Sequence, residues 1–318
     1  MIGKNAEVLL ALSFVKGISN TERVKYARSK VGKDLSSNYE AAVENSNLKA
    51  KISSLTWKDC LQKAKNEISK ARALNITILS YLDKEYPTNL LFLPDAPIVL
   101  YVKGNYPALN KDKIVAVIGS RTPSKYGAQI DTDFSTTLSK DGFVTVAGLA
   151  PGCDTYAHRA TVKAKGSTVA TLGNSLEQPI YPAENTALAH AMIEAGGALV
   201  SSFHFGTPVR PENFPIRDEW QSGLSNGVLA IETAVKGGTR IAMHHATIEK
   251  RPLAVIDYRQ DKKHNLIKLP TLQGNLDSLK NEGAMPLFSK ESLKDFEKRM
   301  MANRKKRLAH LNVAFRQD

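Results

Sequence analysis

The chain has 318 residues, room for about two domains at roughly 150 residues each. Apolar residues make up 42%, charged residues 24% and aromatics 7%, which excludes wholesale disorder, collagen and low-complexity scaffolds. Lys plus Arg is 44 against 31 acids, and the net charge of +13 favours a polyanionic partner, nucleic acid ahead of anionic lipid.

Residues 1–75 read as helical. The apolar run Val8–Val15, broken by Ser13, reads as a buried helix face and not a signal peptide. A basic helical stretch follows over 21–30, and a third helix is predicted over 57–74. A SAM-like or helix-hairpin-helix unit and a plain helical bundle fit this pattern equally. Residues 76–112, punctuated by Pro87, Pro94, Pro97 and Pro107, read as an irregular connection with one short strand over 98–102.

From Lys113 the pattern changes. Short branched apolar runs fall at 114–118, 143–146, 168–172, 198–201, 228–231 and 253–256. Helical stretches at 129–140, 155–165, 185–194 and 239–249 alternate with them. This alternation predicts an α/β fold, a doubly wound parallel sheet of Rossmann type over 113–258, preceded by the small helical domain. Residues 259–318 read as a basic extension, with Lys262-Lys263-His264 and one amphipathic helix over 291–310. Its run Arg304-Lys305-Lys306-Arg307 reads as a solvated face ahead of an extra phosphate-contacting tail. No apolar run approaches the ~20 residues of a membrane helix. Two cysteines, Cys60 and Cys153, give no disulfide framework or zinc cluster and suit a reducing cytoplasm.

In such a sheet, ligands bind beyond the carboxyl ends of the strands. The segments there are Gly119-Ser120-Arg121 with Tyr126, the turn opening at Gly148, Gly173-Asn174, the loop carrying Arg210 and Arg217, and Lys236-Gly237-Gly238-Thr239. Glycines allow close backbone approach, and arginines beside helix starts suit phosphate. None is a G-x-G-x-x-G or Walker loop, so ordinary dinucleotide or ATP binding is unsupported, and no cofactor is expected. Asp154 and Asn185 read as helix N-caps, His158 as a packing or hydrogen-bonding residue, and Cys153 as a small buried one. His244-His245 make a poor chelate. Candidate stacking residues are Tyr126, Phe203, Phe205, Phe214 and Trp220.

In combination, Val117-Ile118-Gly119-Ser120-Arg121, Tyr126-Gly127, Ala147-Gly148-Leu149-Ala150 with Gly152 and Asp154, Ala157-His158, Gly173, Tyr181-Pro182 with Asn185, Phe214-Pro215 with Arg217, and Gly223-Leu224-Ser225 resemble the DNA-processing protein A (DprA/Smf) family. The resemblance covers roughly residues 5–258. It implies an extended Rossmann-like domain and a homodimer that binds single-stranded DNA without cutting it. In natural transformation such proteins protect incoming strands and load a RecA-type recombinase. It implies that Arg121 grips phosphate, that Gly119, Ser120 and Gly173 shape the pocket, and that Arg217 lines its rim. This chain departs from the family pattern at Pro151, where a basic residue is usual, at Asp218-Glu219, where Asn-Arg is usual, and at Ser202 and Gly237-Gly238-Thr239. The winged-helix-like domain of many members is not evident. Two added acids near the groove are expected to weaken strand binding or to change which nucleotides fit.

The competing reading is a nucleotide sensor, or a hydrolase like the lysine-decarboxylase-like (LOG) phosphoribohydrolases. Lys236-Gly237-Gly238-Thr239 echoes their Pro-Gly-Gly-x-Gly-Thr-x-x-Glu motif, but Arg240, Ile241 and Ala242 follow with no carboxylate. A third reading is an interaction protein whose groove has decayed.

Overall fold

Every residue of the strands Ile114–Ile118, Val144–Ala147, Thr168–Thr171, Ala198–Ser201, Val228–Ala230 and Leu253–Ile256 is buried, as expected for a sheet covered on both faces. A computed structural model describes residues 3, 5–33, 35–44, 46–260 and 266–314. In chain order its main elements are α1 (Ala6–Phe14), α2 (Asn20–Arg28), α3 (Ser54–Ala73), β1 (Thr77–Ser80), β2 (Val99–Gly104), β3 (Ile114–Ile118), α4 (Lys125–Lys140), β4 (Val144–Ala147), α5 (Cys153–Lys163), β5 (Thr168–Thr171), α6 (Thr186–Glu194) and β6 (Ala198–Ser201). There follow α7 (Asn213–Leu224), β7 (Val228–Ala230), α8 (Thr239–Ile248), β8 (Leu253–Ile256), α9 (Gln273–Asn281), β9 (Met285–Leu287) and α10 (Lys290–Ala314).

The strands form one sheet in the order β1-β2-β6-β5-β4-β3-β7-β8-β9. β2 runs antiparallel to both its neighbours, and the other pairs are parallel. The chain steps outward from β3 through β4, β5 and β6, then returns to the other side of β3 for β7, β8 and β9. The order therefore reverses at β3, and a crevice opens beyond the carboxyl ends of β3, β4 and β7.

The stretch 76–112, expected to be an irregular connection, supplies β1 and β2 to this sheet. The N-terminal helices share its core: Leu9 and Leu12 of α1 belong to one apolar cluster with Leu79, Leu100 and Val200. The stretch 259–318, expected to be a basic extension, holds β9 and two helices of the same fold. Leu287, Phe296 and Met300 are completely buried there. Two cations of the basic run are tied down and not solvated. Arg304 pairs with Asp112 at 2.7 Å, and the Arg307 guanidinium lies 4.2 Å from the Phe92 ring centre. Lys262-Lys263-His264 lies outside the described residues. Among the described residues no helix is long and apolar enough to cross a membrane.

Candidate nucleic-acid interface

Three strand-to-helix loops meet at the point where the sheet order reverses. The Cys153 amide donates to the Ser120 carbonyl at 3.0 Å, joining the β3–α4 loop to the β4–α5 loop. Gly152 lies between them at φ +79°, and a Cβ there would stand 2.4 Å from the Ser120 oxygen. The Thr239 hydroxyl, on the first residue of α8, donates to the Gly119 carbonyl at 3.0 Å. Ser124 caps α4 by accepting from the Gly127 amide at 2.9 Å, and its own amide donates to the buried Glu232 carboxylate at 2.9 Å.

These loops enclose a cleft of about 290 Å³. Gly119, Ser120, Arg121, Arg217, Lys236, Gly237, Gly238 and Thr239 line it. A narrower recess beside it is lined by Gly148, Gly173, Asn174, Tyr181 and Phe214, with Arg121 and Arg217 as the shared wall. The structure thus brings together the residues singled out for phosphate binding, except Arg210 and Tyr126. The Tyr126 ring packs edge-on against Tyr258, 6.1 Å between centres, and lines neither space.

The two arginines differ in their freedom. Arg121 is exposed, and its guanidinium lies 5.4 Å from the Phe214 ring centre. Arg217 approaches the same ring at 5.7 Å but is only 5% exposed. Its Nη1 is 3.6 Å from Asp154, and its Nε is 3.1 Å from Asp218. Neither nitrogen has a hydrogen-bond partner among the described residues. Burial pushes the Asp218 carboxyl up to about 6, opposed by Arg217. Burial likewise raises Asp154, again opposed by Arg217. Two acids thus offset the Arg217 charge, while Arg121 and Lys236 are exposed cations on the rim. The N-terminus of α8 adds the positive end of its dipole.

Arg217 was expected on a polar loop; it sits on α7, because Pro215 falls in the first helical turn, where proline is tolerated. Asp154 does not cap α5: it accepts from the Gly148 and Ala150 amides at 2.9 and 3.2 Å and braces the loop. Asn185 does not cap α6 through its side chain; its amide donates to Leu149 and Thr155. Trp220 is buried and donates to the Ser202 hydroxyl at 3.1 Å, so it offers no stacking face. Phe205 packs on Tyr101. Phe214 is the one candidate stacking aromatic at the recess; Tyr181, 46% exposed and 5.9 Å from it, belongs to a motif noted in the sequence but was not among the stacking candidates. Glu232 was also missed, although its place just past the carboxyl end of β7 was the available signal. His158 donates to or accepts from Thr168 at 2.7 Å, and burial takes its pKa down to about 3. Burial pushes the Cys153 thiol well up.

Of the two acids expected near the groove, only Asp218 lines it. Glu219 turns toward α8, 3.9 Å from His245, and its carboxyl is raised to about 8 by burial and by repulsion from Asp95 and Glu249. A carboxyl raised in the folded state favours folding when protonated. Its penalty grows as pH rises from the ordinary value of 4.5 through about 8. Glu219→Gln is therefore expected to stabilise the fold by about 1 kcal/mol in mildly alkaline buffer, after allowing for screening, and to have little effect in acid. Denaturant midpoints of the two proteins in both buffers check this.

The sequence matches the family model described as DNA recombination-mediator protein A over residues 77–296. It is 40% identical over 166 residues to Protein Smf of Escherichia coli (strain K12), covering 52% of this chain and 44% of that protein. It is 33% identical over 185 residues to the DNA processing protein DprA of Bacillus subtilis (strain 168), covering 58% and 62%. The matched stretches thus span about half the length of these relatives. The DprA structure from Streptococcus pneumoniae superposes with a TM-score of 0.66 at 27% identity, over 87% of this chain and 98% of that one. The Helicobacter pylori protein, a DprA with a described single-stranded DNA binding mode, shares the fold at TM-score 0.60 and 24% identity, over 72% and 96%. With a family match across more than half its length, this chain belongs to the DNA recombination-mediator protein A family, the DprA/Smf proteins.

Proposed function

We propose that the chain binds single-stranded DNA at the cleft beyond β3, β4 and β7, without cleaving it, as part of DNA processing and recombination. The observation that carries this reading is the exposed Arg121 set against the Phe214 ring, with the Tyr181 ring beside Phe214, over glycine-lined backbone. A strand needs a cation for phosphate, a flat ring for a base, and backbone close enough to touch. Arg121 and Lys236 hold phosphate, Arg217 fixes the wall behind, and Gly119, Ser120, Gly148, Gly173, Asn174, Gly237, Gly238 and Thr239 shape the path. The non-catalytic reading is supported by the state of the two reactive side chains nearby. Cys153 is buried with its thiol pushed up, and His158 is buried and neutral. In this reading the protein works as a homodimer in the cytoplasm and hands strands to a RecA-type recombinase during transformation.

Fluorescence anisotropy with labelled single-stranded and duplex DNA over a salt series tests the reading. Single strands are expected to bind in preference, with affinity falling as salt rises by a slope of about −0.7 per phosphate held. Equal binding of the two forms, or no salt dependence, contradicts it. Displacement of the strand by a mononucleotide alone would instead favour the nucleotide-sensor reading, for which the volume of the cleft is the supporting observation.

A further inference from the structure

The inner wall of the cleft carries a carboxylate that phosphate binding does not use. Asp218 is held on α7 with its side chain 12% exposed. Its Oδ1 is committed, accepting from Gln221 Nε2 at 2.7 Å and lying 3.1 Å from Arg217 Nε. Its Oδ2 accepts no hydrogen bond from a described residue. It faces Gly238 across the cleft, where a Cβ would stand 3.3 Å away. A phosphate oxygen brought to Oδ2 meets like charge, whereas an N–H donor is held by a charge-assisted bond. The cleft, at about 290 Å³, is at the small end of ligand pockets, with room for one nucleoside-sized group.

Building on the strand-binding reading, we propose that Asp218 Oδ2 accepts from an exocyclic amine of one base of the bound strand, and so selects cytosine or adenine over thymine at that position. Cytosine presents an N4 amine where thymine presents the O4 carbonyl, so one carboxylate attracts the first and repels the second. Arg121 and Lys236 would hold the flanking phosphates at the mouth while the base points inward. With its pKa raised only to about 6, Asp218 is ionised in mildly alkaline buffer, and Arg217 behind it holds Oδ1 in place.

The test is anisotropy in mildly alkaline buffer with short labelled oligo-dC and oligo-dT, on the wild type, Asp218→Asn and Gly238→Ala. The wild type is expected to bind oligo-dC about tenfold more tightly than oligo-dT. Asp218→Asn, whose amide can serve either base, is expected to bring the two within about twofold. Gly238→Ala, which puts a methyl 3.3 Å from Oδ2 and crowds the approach to it, is expected to do the same if Asp218→Asn does not fold. Equal wild-type affinities, or a preference unchanged in the variants, overturn the role of Asp218 while leaving strand binding intact. Failure of the wild type to bind either oligonucleotide overturns this inference and the strand-binding reading together.

Discussion

Arg121→Ala is expected to weaken single-strand binding by about tenfold or more and to lower the salt slope by about one phosphate contact. The guanidinium is exposed, so its removal costs the fold less than about 0.5 kcal/mol. Arg121→Lys should retain part of the affinity, since a point charge remains but the planar fork and its contact with Phe214 are lost. Anisotropy and denaturant melts on the same preparations separate binding from stability. Unchanged affinity in the alanine variant would remove Arg121 from the interface.

Gly152→Ala is expected to cost about 3 kcal/mol of stability. Two effects combine. The residue holds φ +79°, which alanine adopts only with strain. The added methyl would also stand 2.4 Å from the Ser120 oxygen and 2.5 Å from the Arg121 carbonyl carbon. Both neighbours are backbone, so relief requires the β3–α4 and β4–α5 loops to part, breaking the Cys153 to Ser120 hydrogen bond. Gly237→Ala is the control. No described residue lies within 4 Å of its added methyl, and the change should stay within about 0.5 kcal/mol. A urea melt of each variant decides the matter, and equal midpoints would refute the role given to Gly152.

The parts of the fold that were legible in the sequence are those where one physical rule dominates. Ile114–Ile118 and Leu253–Ile256 are continuous branched runs because both faces of the sheet are covered, and such runs have few other uses. Once parallel strands are assigned, topology places all their carboxyl ends on one edge. Glycine loops far apart in sequence, such as Gly119 and Gly238, could therefore be placed together without coordinates. Where two rules conflicted, the sequence was silent or misleading. Pro211 and Pro215 made α7 look like a loop, and Pro286 hid β9, which lies at the sheet edge where proline is tolerated. In the sequence, Asp218 and Glu219 read as acids near the groove and Trp220 as a stacking candidate. On a helix they point about 100° apart in turn: one into the cleft, one to α8, one into the core. The sharing of a core between α1 and the sheet edge depends on contacts across long sequence separations, which no local pattern carries.

The central claim is that the single strand lies in the crevice beyond β3, β4 and β7, and amide hydrogen exchange with and without a bound oligonucleotide tests it most directly. Binding is expected to slow exchange in the Gly119–Ser124, Gly148–Gly152 and Lys236–Thr239 loops and around Tyr181 and Phe214, while the exposed face of α10 is unaffected. Protection confined to α10 or to the N-terminal helices, with those loops unchanged, would contradict it.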